Sequence, residues 1–158
     1  MDDSYVIKNY KKLDRILVEL CGMILQGQKN NPEKYGMVAA CVLDTENRKV
    51  GRLNYLIKNG KRVHAERAAI NAYETQYGSI PVGSIIITTL SPCAEPMHDR
   101  FGRSCTHLIN NSSIHKVYCG YIDPTQQNSP RDIRSFSLKE TENQIIKKAC
   151  QKIADNFL

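Results

Sequence analysis

Apolar residues recur at steps of three and four along the first part of the chain: Leu13, Ile16, Leu17, Leu20, Cys21, Ile24 and Leu25. That period puts them on one face of a helix built to cover a sheet. Gly27 and the run Asn30-Asn31-Pro32 bring the helix to an end. The pattern then changes. Residues 37–43 are almost wholly apolar, as in a strand buried on both faces. Residues 50–57 alternate, with Leu53, Tyr55 and Ile57 against Arg52 and Asn54. With a turn at Asp44-Thr45-Glu46-Asn47, the two strands make an antiparallel hairpin that Asn59-Gly60 closes.

A second helix is expected from His64 to Gly78. Its inward face is small, with Ala65, Ala68, Ala69 and Ala72, so it can lie close to a sheet and hold its first turn rigidly. Residues 84–90 are rich in branched side chains and read as a strand. A short helix over 106–111 and a strand over 115–122 follow. This alternation of strand and helix argues for parallel pairing. Residues 123–130 form a turn-rich loop, and 133–138 read as a short edge strand. A final helix begins at Ser137-Leu138-Lys139-Glu140, which has the form of a capping box, or near Thr141. Its stripe is Ile146, Ala149, Cys150, Ile153 and Phe157. The whole is one α/β domain over residues 1–158, a three-layer α/β/α sandwich whose mixed sheet carries an antiparallel N-terminal hairpin.

Composition narrows the class. A chain of 158 residues is long enough to bury a proper core as one domain. The start, Met1-Asp2-Asp3-Ser4, is acidic and unlike a signal peptide, and the stretch 16–25 is too short to span a bilayer. The expectation is a cytoplasmic protein that does not enter a membrane. Six cysteines then point to metal binding or burial and not to disulfides. Cys21, Cys41, Cys119 and Cys150 sit in apolar patterns, as core residues do. The net charge of +6 suits a phosphate-bearing substrate or a nucleic acid. The basic residues are spread along the chain, as on an ordinary solvated surface.

Two stretches carry the chemistry. The first is His64-Ala65-Glu66. The second begins Pro92-Cys93 and reaches Cys105 after eleven intervening residues. One imidazole and two thiolates suit zinc, and three protein ligands leave a fourth position open for water, as in a catalytic site. His98 and His107 also lie within reach of the cysteines and stand as alternative third ligands. Glu66 can enter the site without being a ligand and can move protons there.

These residues resemble the cytidine deaminase-like superfamily of zinc deaminases, whose signature has the form H-x-E…P-C-x-x-C. His64, Glu66, Pro92 and Cys93 match position by position. The longer gap to Cys105 is similar to the branch holding the riboflavin-biosynthesis aminopyrimidine deaminases. The resemblance covers roughly residues 37–125. It implies an α/β/α fold with zinc at His64, Cys93 and Cys105, and Glu66 as the proton carrier. It implies a hydrolase that acts on a cyclic amidine C–N bond and replaces an exocyclic ring amine by a carbonyl oxygen. The backbone amides of Ala65 and of the Cys93 turn would meet the substrate. Asn54, ten residues before His64, is similar in placement to an asparagine that contacts the base in tRNA adenosine deaminases; the alternative is a surface strand residue. Gly120-Tyr121-Ile122-Asp123-Pro124 resembles a pocket-forming segment of riboflavin-type deaminases, so Asp123 either lines the pocket or caps the turn. Arg100 and Arg103 either grip a substrate phosphate or carboxylate, or tether a long loop.

The expected substrate is a small nucleobase, nucleoside or nucleotide such as cytosine, cytidine, deoxycytidylate or an aminopyrimidine nucleotide. A nucleic-acid editor is the less favoured reading, because no aromatic stacking platform or dense basic arm is visible. A binding module with a structural zinc is a third, opposed by the carboxylate of Glu66. The family resemblance also implies a homo-oligomer working in nucleotide metabolism.

Overall fold

The computed structural model describes residues 3–56, 62–93, 105–124 and 136–157. Its elements in chain order are α1 (Asp3–Asn30), β1 (Tyr35–Leu43), β2 (Lys49–Leu56), β3 (Arg62–Val63), α2 (Ala65–Tyr77), β4 (Ile85–Leu90), α3 (Cys105–Asn110), β5 (Lys116–Tyr121), β6 (Ser137–Glu140) and α4 (Gln144–Phe157). The strands form one mixed sheet in the order β3-β2-β1-β4-β5-β6. β1 pairs antiparallel with both β2 and β4, while β4, β5 and β6 run parallel. The expected hairpin and the expected parallel half are both present and meet at β1.

Helices cover both faces. Leu13, Ile16, Leu17, Leu20 and Ile24 of α1 pack with Ile146, Cys150 and Ile153 of α4 on one face, over Ala39, Cys41, Ile87 and Tyr118. Each large aliphatic side chain among them stabilises the fold by about 1.5–3 kcal/mol on leaving water. The opposite face seats α2 and α3. Ala65, Ala69, Tyr73 and Ile109 lie there on Val38, Ala40, Val42, Ile86 and Val117. β1 is thus buried on both faces, as its unbroken apolar run requires.

Four details differ from the pattern-based reading. Helix α1 begins at Asp3, well before its apolar stripe. Leu25 is 63% exposed, because neighbouring helical residues stand about 100° apart and Ile24 holds the inward position. The segment Ser137–Glu140 is strand β6 and not the start of the last helix. Asn143 makes the cap instead: its Oδ1 accepts from the amides of Ile145 and Ile146 at 3.0 and 3.1 Å. Finally, a two-residue strand, β3, pairs with β2 just before α2. No helix among the described residues is long and apolar enough to cross a membrane.

Candidate metal centre and its carboxylate

Two local designs bring the site together. His64 is the N-cap of α2, in extended conformation, and makes no side-chain capping bond. Its ring lies against two thiols. Cys93 follows β4 in the turn after Pro92, and Cys105 is the first residue of α3. The start of α3 is tied to the Cys93 turn: the Cys105 amide donates to Cys93 Sγ at 3.2 Å, and the Thr106 amide to the Cys93 carbonyl at 3.1 Å. His64 Nδ1 stands 3.4 Å from Cys93 Sγ and 3.3 Å from Cys105 Sγ, and all three ligand atoms lie within 4.8 Å of one another.

The donor set fits zinc. With Zn–S near 2.3 Å and Zn–N near 2.0–2.1 Å, a tetrahedral ion separates its ligand atoms by about 3.5–3.8 Å. The observed spacings are close to that, and one nitrogen with two sulfurs is the chemistry zinc takes. The thiols are already polarised. The hydrogen bond from the Cys105 thiol outweighs burial, and with the His64 ring it lowers Cys93 to about 5, so Cys105 keeps the proton the pair shares. His107 does not join this group; it is exposed on α3, with its ring beside Asn111.

Glu66 lies one residue into α2 and is 3% exposed. Burial raises its pKa; the negative charge at Cys93 adds to this, and the His64 ring opposes it. Its two oxygens have different neighbours. Oε2 is 3.3 Å from Cys105 Sγ and so faces the metal group. Oε1 is 3.2 Å from the Thr88 hydroxyl, which also lies 2.8 Å from the Leu90 carbonyl. A hydroxyl has a single proton. Thr88 therefore donates to Glu66 Oε1 or to the Leu90 carbonyl, one at a time. Thr88 is fully buried on β4, on the α2 face of the sheet. In the sequence Thr88 stands inside an ordinary branched strand, and its one signal is the pair Thr88-Thr89 within that apolar run.

Asn54 is not a surface residue. It is 5% exposed, on the side of β2 that packs against α2. Its Oδ1 accepts from the Val38 amide at 3.1 Å, which turns Nδ2 away from that amide. It packs directly over Gly36, where a Cβ would stand 2.2 Å from Nδ2. Asn54 lines a cavity of about 300 Å³ with Gln28, Tyr35, Met37, Tyr55 and Arg62, among others. Because β1 runs antiparallel to β4, this cavity opens at the end of the sheet where β4 leads into Cys93.

Ala65 is fully buried at the first position of α2, so its amide is one of the first-turn donors that a helix leaves without an intrahelical acceptor. Asp123 is buried beside the Cys93 turn, its amide donating to Ser91 Oγ at 2.9 Å. Arg100, Arg103 and His98 lie outside the described residues.

Residues 14–121 match the family described as the cytidine and deoxycytidylate deaminase zinc-binding region. The chain belongs to that family. No curated protein matches the sequence. Among solved structures, the chain is similar in fold to a diaminohydroxyphosphoribosylaminopyrimidine deaminase/5-amino-6-(5-phosphoribosylamino)uracil reductase from Thermotoga maritima, with 22% identity and a TM-score of 0.63 over 91% of this chain. It spans only 42% of that protein's length. It is also similar to the dCMP deaminase of cyanophage S-TIM5, with 17% identity and a TM-score of 0.53 over 80% of this chain and 97% of that one. A tRNA:A34 deaminase structure gives 16% identity and a TM-score of 0.56 over 88% of this chain and 99% of that one. At these identities the likeness is one of fold.

Proposed function

We propose that this protein is a zinc-dependent hydrolytic deaminase acting on a small nucleobase-type compound, with the exocyclic amine of a pyrimidine nucleotide as its target. The observation that carries the proposal is the placement of Glu66 Oε2 against a His64–Cys93–Cys105 group. A structural zinc site has no use for a buried carboxyl aimed at it, so this placement also counts against the binding-module reading.

In this reading His64, Cys93 and Cys105 hold the metal. A zinc held there would make a water nucleophilic near neutral pH. Glu66 would take one proton from the attacking water on Oε2 and give it to the ring nitrogen, then take the second from the new hydroxyl and give it to the departing amine, which leaves as ammonia. A carboxyl raised by burial suits that duty, because it carries the proton for part of the cycle. Thr88 fixes the other oxygen, so proton transfer stays at Oε2. The Ala65 amide, at the positive end of α2, faces developing negative charge. Asn54 meets the sugar or base through Nδ2, Asp123 lines the pocket, and Arg100 and Arg103 take a phosphate. The fold likeness to a nucleotide deaminase solved with dCMP and dUMP supports a nucleotide substrate. A cytoplasmic homo-oligomer belongs to the same reading, on the family resemblance.

A tRNA substrate is the second reading, favoured by the net charge of +6 and by the fold likeness to the tRNA:A34 deaminase. The test is ammonia release from a panel of cytosine, adenine, guanine and aminopyrimidine compounds, free and phosphorylated, beside inosine formation in tRNA. Turnover of a free nucleotide with no salt-sensitive tRNA binding supports the first reading. Inosine in tRNA with no small-molecule turnover replaces it with the second.

A further inference from the structure

A second close pair of thiols lies outside the metal centre, between the two helices on the opposite face of the sheet. Cys21 Sγ of α1 stands 3.6 Å from Cys150 Sγ of α4. Nothing in the deamination chemistry uses either residue. We propose that Cys21 and Cys150 are a redox site, forming a reversible disulfide that staples α1 to α4, with a low-molecular-weight disulfide of the glutathione type as oxidant.

Three observations carry this. The sulfurs are already in contact, and a disulfide requires them to close by only about 1.5 Å. Cys150 is held in place: it is 1% exposed and lies over Gly120, where a Cβ would stand 2.2 Å from its sulfur. Any larger residue at position 120 would displace that thiol from Cys21. The partner is accessible, since Cys21 is half-buried at the edge of the α1 stripe, where solvent and a small oxidant reach it. The hydrogen bond with Cys150 also lowers Cys21 below the ordinary thiol range, against the effect of burial. Cys41 and Cys119 are fully enclosed in the sheet, and burial pushes both upward, so they do not compete.

The chemistry balances. The Cys21 thiolate attacks one sulfur of the small disulfide and expels the first small thiolate. Cys150, losing its proton to that thiolate, attacks Cys21 Sγ and expels the second. A protein disulfide forms, two protein thiols are oxidised by two electrons in all, and the small disulfide leaves as two thiols. The bond closes a loop between residues 129 apart, which limits the unfolded chain strongly. The site is independent of the metal centre and of any deaminase activity.

The test uses the full chain in its metal-replete form, treated with oxidised glutathione or with dithiothreitol. Non-reducing peptide mapping, Tm and metal content are read on the same samples. The expected result is a Cys21–Cys150 linked peptide and a Tm raised by roughly 5–10 °C, both reversed by dithiothreitol. The Cys21→Ser variant, altered at a half-buried position, keeps the reduced Tm and shows neither change. A glutathione adduct that stays on Cys21 without a link overturns the proposal. So does a link formed to Cys93 or Cys105, or a linked protein with an unchanged or lower Tm.

Discussion

The Thr88 hydroxyl stands 3.2 Å from Glu66 Oε1, so the carboxyl that faces the metal group is held from the sheet as well as from its own helix. Thr88 acts through Glu66 and is a positioning residue. Thr88→Val keeps the shape and removes the hydroxyl. It is expected to lower kcat by roughly tenfold with little change in KM, because the proton carrier loses its fixed geometry. Thr88→Ser restores most of the rate. A steady-state comparison of the three proteins reads this directly; equal losses in the Val and Ser variants would assign Thr88 to packing alone.

Asn54 and Gly36 form a second linked pair. Asn54→Ala is expected to raise KM and to cost about 1–3 kcal/mol of stability, since the buried Val38 amide loses its acceptor. Gly36→Ala tests the same contact without removing a polar group. Its Cβ would fall 2.2–2.7 Å from the Asn54 amide, so the side chain must swing away. KM should rise in both variants. An unchanged KM in both would remove Asn54 from the substrate site.

The hairpin end carries a network with a defined pH response. Burial, the largest single influence on Asp44, pushes its carboxyl upward. Hydrogen bonds from Tyr73, the Arg48 side chain, and the Arg48 and Glu46 amides together outweigh it and bring it to about 2. The folded pKa is below the unfolded value, so this group's stabilisation is present above about pH 4 and is lost as pH falls toward 2. The Tm difference between wild type and Asp44→Asn should therefore be largest near neutral pH and shrink between pH 4 and 2. A gap that stays constant over that range would mean that Asp44 is not held ionised by the fold.

Much of this fold was legible because period and burial agree. The run 37–43 announced a strand covered twice, and the alanine face of α2 announced close packing. Elsewhere one sequence pattern serves two structures. Ser137-Leu138-Lys139-Glu140 has the form of a capping box, yet its backbone pairs with β5, and only that tertiary partner decides. Leu25 has helical spacing, but Ile24 beside it takes the inward position. In the site, His64, Glu66, Cys93 and Cys105 stood out because metal chemistry needs those residue types. Thr88 did not, since a hydroxyl in a β-branched strand looks the same whether it packs or supports a carboxyl. Asn54 keeps a surface alternative in the sequence because its strand alternates; its burial comes from the packing of α2 on that face and from its contacts with Gly36 and Val38 of β1.

The central claim is that Glu66 moves protons at a zinc held by His64, Cys93 and Cys105. The measurement is zinc content and ammonia release together, for wild type, Glu66→Ala and Cys93→Ser, over the compound panel and tRNA. Stoichiometric zinc in wild type and Glu66→Ala is predicted, with the carboxyl variant about 10²–10⁴-fold slower and the cysteine variant depleted of metal. Wild type that binds no zinc when prepared with ample metal, or a Glu66→Ala protein that releases ammonia at the wild-type rate, would contradict this assignment.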